Sequence, residues 1–393
     1  MPTIRGWVAL GVATALAMLW IAFGELEILA TAIFLVAAAG AGIVYTRIAM
    51  PDASVSRRIV GGQVHEGDEV VVEIELTTTR RAGNLTLEDR VHGLGIARFA
   101  AARAGAHRSL IARYEVLCRA RGVYDVGPAI VGVVDPLGLA ERSAAVGGPA
   151  RLTVFPRIEP LDGYPAVRGY DGAVQATRPT FAPHGGEDFF TLREYQVGDD
   201  LRKVHWPSSA KRDQLMIKQL EIPWQARALV LLDLRAGRYP DPESFEQAVR
   251  GAASVIGHLY RGGFGPDLWA GEWAAGLRSG NRFMQSMELL ATVRPTHQID
   301  LHGTVGRLQH SGVGGGALVV VTGRLDAAVL SALPILSADF ARTVVMAVTA
   351  PGDDAMIRLQ GTGAIAVGAG PDAAWAPAWR TAMELSWSIA SAG

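Results

Sequence analysis

The sequence predicts an apolar helical hairpin, an all-β domain and a doubly wound α/β domain, in that order. Two uncharged spans open the chain, short alternating segments run from Val55 to about Phe155, and apolar strand-length runs alternate with helical periodicity after residue 225. A length of 393 residues leaves room for two globular domains and an anchor. The formal net charge of −1 leaves no basic excess to neutralise a phosphate backbone, so nucleic acid is not an expected partner. The single cysteine, Cys118, excludes an internal disulfide and a cysteine-based zinc cluster. Its apolar-alternating neighbours suggest a small buried side chain.

The hairpin is expected over residues 1–50. Trp7 to Phe23 carries no charge, Gly24-Glu25-Leu26-Glu27 interrupts it, and Ile28 to Thr46 is again uncharged. At about 1.5 Å per residue each span reaches roughly 25 to 30 Å, near the thickness of a bilayer's hydrocarbon core. Arg5, Arg47, Arg57 and Arg58 lie outside the spans, whereas the connection carries only Glu25 and Glu27. The positive-inside rule then puts both ends in the cytoplasm, so the expectation is a multi-pass protein of the inner membrane with cytoplasmic domains. Arg5 followed by an apolar stretch also reads as a cleaved signal peptide, but secretion needs no second span.

Residues 51–155 read as an immunoglobulin-like β-sandwich. Strands are expected at Glu69 to Leu76, Leu85 to Val91, Ser109 to Val116, Gly127 to Val134 and Arg151 to Phe155. In the first, Val70, Val72, Ile74 and Leu76 share one side, which a sandwich would bury. Turns at His65-Glu66-Gly67-Asp68, Arg81-Ala82-Gly83-Asn84 and Asp135-Pro136-Leu137-Gly138 suit the spacing of such a fold.

Residues 156–224 combine a linker and a charged segment, the linker reading resting on Pro, Gly, Tyr and Arg without a sustained period up to Gly186. Residues 225–393 then read as the α/β domain. Ala228 to Leu234 has the apolar continuity of a strand buried on both faces. Asp241-Pro242-Glu243 supplies an N-cap, a first-turn proline and a first-turn acid, with apolar residues at helical spacing from Phe245 to Leu259. Ala317 to Val321 and Thr343 to Val348 repeat the buried-strand pattern around helical material from Asp326 to Leu336. On the terminal helix, Trp375, Trp379, Met383 and Trp387 recur every four residues, as core packing or as a docking face. The Gly312 to Gly316 run lacks the Lys-Ser/Thr of a phosphate loop. His184, His205, His258, His297, His302 and His310 show no metal-ligand spacing.

The charged segment, Gly185 to Arg212, interleaves Glu187, Asp188, Glu194, Asp199 and Asp200 with Arg193, Arg202, Lys203, Lys211 and Arg212. Its Glu187 and Phe189, Arg193-Glu194-Tyr195, Gly198-Asp199-Asp200, Arg202, Trp206 and Ser209-Ala210-Lys211-Arg212 resemble the signature of the bacterial "domain of unknown function 58" family. Arg121-Gly122-Val123-Tyr124 and Asp135-Pro136-Leu137-Gly138-Leu139 resemble the same family upstream. The resemblance implies that residues 225–393 form a von Willebrand factor A-like domain. It also implies a partner, because genes of the family commonly lie beside one for a MoxR-type AAA+ ATPase, an adaptor-using machine of assembly or metal insertion.

A von Willebrand A-like domain suggests a metal-ion-dependent adhesion site with an Asp-x-Ser-x-Ser loop, a Thr and a second Asp, hard oxygens suited to Mg²⁺. Asp233 keeps the first carboxylate, but Arg235 and Gly237 replace the serines, and the later strand ends Val321-Thr322-Gly323 where an acid would be wanted. A guanidinium in that loop repels a cation and offers its own charge to Asp233. No cofactor is therefore expected, with Mg²⁺ the alternative.

The charged segment admits three roles. Asp199, Asp200 and Glu194 with His205 as proton shuttle would make an acid/base or cation site, though adjacent aspartates diverge on helix or strand. Arg193 and Arg202 clamping Asp199, Asp200 or Glu194, with Gly198 at the turn and Tyr195 and Trp206 anchoring the segment on the sheet domain, would make a structural network. The same network held rigid would make a protein-binding epitope, since Arg, Tyr and Trp dominate interface energetics. The expected protein is a non-enzymatic, membrane-anchored scaffold or adaptor. The alternative is a metal-dependent ligand-binding module, and behind it an enzyme using Asp199, Asp200 and His205.

Overall fold

In the computed structural model, which describes residues 1–106, 108–164, 190–194, 205–212, 214–220, 227–271, 273–275, 281–298, 301–310, 316–350 and 352–391, the two uncharged spans are helices. Helix α1 is Ile4–Phe23 and helix α2 is Leu26–Ala49, both long and apolar enough to cross a membrane. Thr3 caps α1 by accepting from the Gly6 N–H. Gly24, at φ 73°, ends it in the left-handed conformation that needs no Cβ. Large apolar side chains on both helices face outward, among them Trp7, Met18, Phe23, Phe34 and Ile48. A soluble core helix would hide such residues; a bilayer would cover them.

The chain divides into two compact units, Met1–Phe155 and Pro156–Gly393. In the first, α1 and α2 are followed by β1 (Ala53–Val60), β2 (Val64–His65), β3 (Glu69–Thr78), β4 (Ala82–Val91), β5 (Gly95–Ala104), β6 (Ser109–Leu117), β7 (Gly122–Val126), β8 (Ala129–Val134), β9 (Glu141–Val146) and β10 (Ala150–Phe155). One sheet has the order β1-β3-β6; the other runs β2-β10-β7-β4-β8-β9, with β5 added on β4. Val70 and Val72 of one sheet meet Val91, Val126 and Val154 of the other in a shared core, and Ile74 and Leu76 meet Leu85, Leu87, Val131 and Val133 in a second cluster. Cys118 is fully buried in the first cluster.

An ion pair crosses between the sheets. The Arg57 guanidinium on β1 donates to the Asp89 carboxylate on β4 at 2.9 to 3.1 Å, and Tyr114 of β6 donates to Asp89 Oδ2 at 2.7 Å. Arg57 also donates to the Gly148 carbonyl at 2.7 Å. The Arg57 side chain is thus buried, with its charge met by Asp89. Burial, and then the Asp89 charge, push the Tyr114 hydroxyl well above its ordinary value.

The second unit begins with a strap where a linker is expected. Residues 156–164 lie on two helices, α4 (Pro242–Arg261) and α9 (Trp375–Ser391). The Glu159 N–H donates to Ser254 Oγ at 2.9 Å and the Ala376 N–H to Glu159 Oε2 at 3.1 Å. His258 Nε2 and Trp379 Nε1 both reach the Gly163 carbonyl, at 2.8 and 3.2 Å. Tyr164 stacks on His258 with ring centroids 4.4 Å apart.

Two antiparallel strands, β11 (Phe190–Glu194) and β12 (Met216–Leu220), flank a short helix α3 (Trp206–Arg212). The main sheet has the order β15-β14-β13-β16-β17-β18, from β13 (Arg227–Leu232), β14 (Gly265–Ala270), β15 (Trp273–Ala275), β16 (Ala317–Thr322), β17 (Arg342–Val348) and β18 (Ile365–Ala369). All its neighbours are parallel except the β14–β15 pair. The remaining helices are α5 (Arg282–Thr292), α6 (Leu301–His310), α7 (Ala327–Ser337) and α8 (Asp354–Gln360). Leu229 and Leu231 of β13 pack into a core with Leu308, Leu333 and Leu359 of α6, α7 and α8, while the alternating Val230 and Leu232 are also buried. The strands are therefore covered on both faces. Asp241 caps α4 by accepting from the Ser244 N–H at 2.7 Å. Trp375 and Trp379 are fully buried on α9, so the stripe is core in its described part.

Candidate functional site

Progression along the main sheet reverses between β13 and β16, and in open α/β sheets ligands settle outside the carboxyl ends of the strands at such a point. Asp233 follows β13 there and Thr322 ends β16; Asp233 is 4% exposed. The two loops are tied by an Asp233 N–H to Val321 carbonyl bond of 2.8 Å.

Arg235 folds back over this pair. Its Nε and Nη2 donate to both oxygens of Asp233 at 2.8 to 3.2 Å, and its Nη1 and Nη2 donate to Asp326 at 3.0 and 3.3 Å. Thr322 Oγ1 donates to Asp233 Oδ2 at 2.9 Å, and Arg238 pairs with Asp326 Oδ2 at 2.9 Å. One planar fork therefore spans two carboxylates, an arrangement a lysine could not reproduce. The loop is held by Thr296, which pairs with Leu234 and Ala236, by a 3-10 turn at Ala236–Arg238, and by the Tyr239 hydroxyl donating to the Asp233 carbonyl. Gly323 is required by space: a Cβ there would lie 2.2 Å from the Arg238 carbonyl oxygen.

Burial disfavours the Arg235 charge, but the Asp233 and Asp326 carboxylates outweigh it and raise its proton affinity above the ordinary arginine range. Burial likewise disfavours the Asp326 charge; the Val329 N–H it accepts as helix cap and the Arg235 guanidinium prevail and hold its carboxyl below the ordinary value. Two acids and two guanidiniums balance, leaving no net negative field for a divalent ion. A Mg²⁺ site needs oxygen donors around an open centre, and here that centre is filled by a guanidinium. The residues do not fit the ion. Gly237, at the other serine position, is exposed and contributes no donor.

Asp326 is the member that sequence reasoning missed. The acid was sought directly after Val321-Thr322-Gly323, but the loop carries it three residues beyond Gly323, where it doubles as the N-cap of α7. The signal was present, since Asp326 opens the expected helix.

The charged segment is seen only in part. Glu187, Tyr195, Gly198, Asp199, Asp200 and Arg202 lie outside the described residues, as does His184. Arg193 and Glu194 sit on β11, paired with Ile217 and Met216. His205 Nδ1 lies 2.7 Å from Ser208 Oγ, the His205 backbone N–H donates to the Met216 carbonyl at 2.8 Å, and Ser209 Oγ accepts from the Met216 N–H at 2.8 Å. Trp206, expected to anchor the segment, is instead 67% exposed at the start of α3, and the buried Ser209 and Met216 tie the segment down in its place.

Residues 191–367 match the family model "Protein of unknown function DUF58". That match spans β11, α3, the main sheet through most of β18 and the whole Asp233–Asp326 cluster. The chain is 29% identical over 161 residues to "Uncharacterized protein YeaD" of Bacillus subtilis, a match covering 41% of this chain and 39% of that relative. Among solved structures, a CARDB domain from Pyrococcus furiosus covers 26% of this chain and 88% of its own at 11% identity and a TM-score of 0.21. Sporulation control protein Spo0M from Bacillus subtilis covers 27% and 50% at 12% identity and 0.17. At those scores neither likeness bears on fold or function.

Proposed function

We propose that the protein is a membrane-anchored cytoplasmic scaffold whose von Willebrand A-like domain carries a built-in guanidinium in place of an adhesion-site metal. The observation that carries this reading is the Arg235 fork between Asp233 and Asp326 at the sheet's switch point. The strand order, the carboxylate after the first strand, the hydroxyl at the end of β16 and the acid beyond it all suit a von Willebrand A-like domain. A metal-dependent module recruits a ligand carboxylate to an open coordination place; a closed salt bridge instead sets the loop once and leaves its surface for a protein partner. The family resemblance makes a MoxR-type AAA+ ATPase the proposed partner, acting in assembly or maturation of other proteins. The hairpin holds this module at the inner membrane, and the sandwich is of the immunoglobulin-like kind.

Calorimetry with Mg²⁺ tests the site. The wild-type protein should show no micromolar binding, whereas Arg235→Ala/Arg238→Ala, which strips both guanidiniums from Asp233 and Asp326, should gain it. Micromolar Mg²⁺ binding by the wild type, abolished in Asp233→Ala, would overturn the reading. Capture tests the scaffold: a pull-down from native membranes should retrieve the ATPase with the intact chain and lose it in Arg193→Ala. Retained capture together with loss of a turnover would make the protein an enzyme.

A further inference from the structure

The turn between β8 and β9 braces itself on a buried carboxylate. Asp135 is 3% exposed and accepts from the Leu137 N–H at 2.9 Å and from the Ala140 N–H at 2.5 Å. The turn is also fastened to the start of α1. The Thr3 N–H donates to the Leu139 carbonyl at 2.9 Å and Thr3 Oγ1 to the Gly138 carbonyl at 2.6 Å. Two helix glycines make the room. A Cβ on Gly6 would stand 2.0 Å from the Leu139 oxygen, and one on Gly42 would stand 3.2 Å from Asp135 Cγ. The turn is wedged against the end of the hairpin where α1 begins and α2 finishes, away from the connection.

That end carries the marks of a bilayer boundary. Trp7 on α1 and Tyr45 on α2 are 64% and 37% exposed there, with Arg5 and Arg47 beside them. Amphipathic aromatic rings settle at headgroup depth. Gly42 precedes Tyr45 by about one helical turn, so the turn's contact with α2 lies roughly 4.5 Å deeper than Tyr45 at 1.5 Å rise per residue. Pro136 and Leu137 point outward from this wedge, Leu137 at 63% exposed.

We propose that residues 135–140 form an interfacial wedge, with the Leu137 side chain immersed in the acyl-headgroup boundary of the leaflet that holds the hairpin's two ends. The partner is a lipid surface. This rests on the hairpin crossing the membrane. It adds a second, rigid attachment that fixes how the β domain stands on the bilayer.

Spin labels on the full chain in phosphatidylcholine–phosphatidylglycerol vesicles test both layers separately. Leu137→Cys is the probe, Phe34→Cys in α2 reports the anchor, and Leu117→Cys, at the end of β6 remote from α2, reports water. Native Cys118 is fully buried and stays unlabelled in folded protein, which the wild-type chain treated with the same label checks. Labels at Phe34 and Leu137 should collide preferentially with oxygen, each severalfold less accessible to an aqueous nickel chelate than the label at Leu117. A Leu137 label as nickel-accessible as that at Leu117, with Phe34 still in lipid, overturns the wedge and leaves the anchor standing. A Leu137 label shielded from both reagents means protein covers it, which also overturns the proposal. A nickel-accessible Phe34 label removes the anchor and the wedge together.

Discussion

Arg57 and Arg235 are both arginines set against buried carboxylates, and each had a different meaning as a letter in the chain. Arg57 stands next to Arg58 and reads as half of a basic pair flanking the hairpin. In the fold only Arg58 stays at the surface, paired with Glu73, while Arg57 alternates inward to Asp89. The side chains of Arg57 and Asp89 are 3% and 0% exposed, so removing one leaves the other charge buried and alone. Asp89→Ala should therefore cost about 3 to 5 kcal/mol, read from the urea midpoint of the β domain. Asp89→Asn, which keeps a hydrogen-bond acceptor for Arg57, should cost less. Arg235 was legible as a partner of Asp233 because a guanidinium two residues from a carboxylate offers its charge to it. Asp326 was legible as the opening of a helix but not as a partner of Arg235, because the loop that brings it back to Asp233 has no periodicity to read.

Several elements with a buried face were legible, although the buried β14 and the half-buried α5 were not among those expected. The alternation of β3, the apolar runs of β13, β16 and β17 and the N-cap of α4 all announce themselves, since burial or capping selects the residue at each step. Strand β9 is exposed along nearly its whole length, and its Glu-Arg-Ser-Ala-Ala-Val carries no burial alternation; its ladder to β8 alone defines it. The 156–164 strap escaped for the same reason, being pinned by single contacts to α4 and α9. One of those contacts is titratable. Burial, opposed by the bond to the Gly163 carbonyl, holds the His258 imidazole below the ordinary histidine value of 6.5. A depressed value means that the unfolded chain takes up the proton first, so stability is intact above 6.5 and falls as pH drops below it. Acidification from about pH 7.5 to about pH 5 should thus lower the protection factor of the Tyr164 amide, its exchange rate being taken relative to the intrinsic rate at each pH, and His258→Gln should flatten that dependence.

For the whole molecule, orientation follows from few charges. Arg5, Arg47, Arg57 and Arg58 flank the two apolar spans and Glu25 and Glu27 lie between them, so a hairpin that crosses the membrane is expected to keep its ends in the cytoplasm. A cysteine at Glu25→Cys should react with a membrane-impermeant maleimide added to intact spheroplasts, whereas Leu117→Cys should react only after lysis; the reverse pattern would invert the topology. The amino-acid sequence by itself determined the apolar hairpin, the division into β-rich and α/β regions and the offer of the Arg235 charge to Asp233, because length, period and charge are local properties. Only the tertiary structure decided that Asp326 completes the site, that Arg57 is buried and that the 135–140 turn wedges against α1 and α2. Those outcomes join residues tens of positions apart, and what joins them is the topology of the sheets and the close approach that glycine permits.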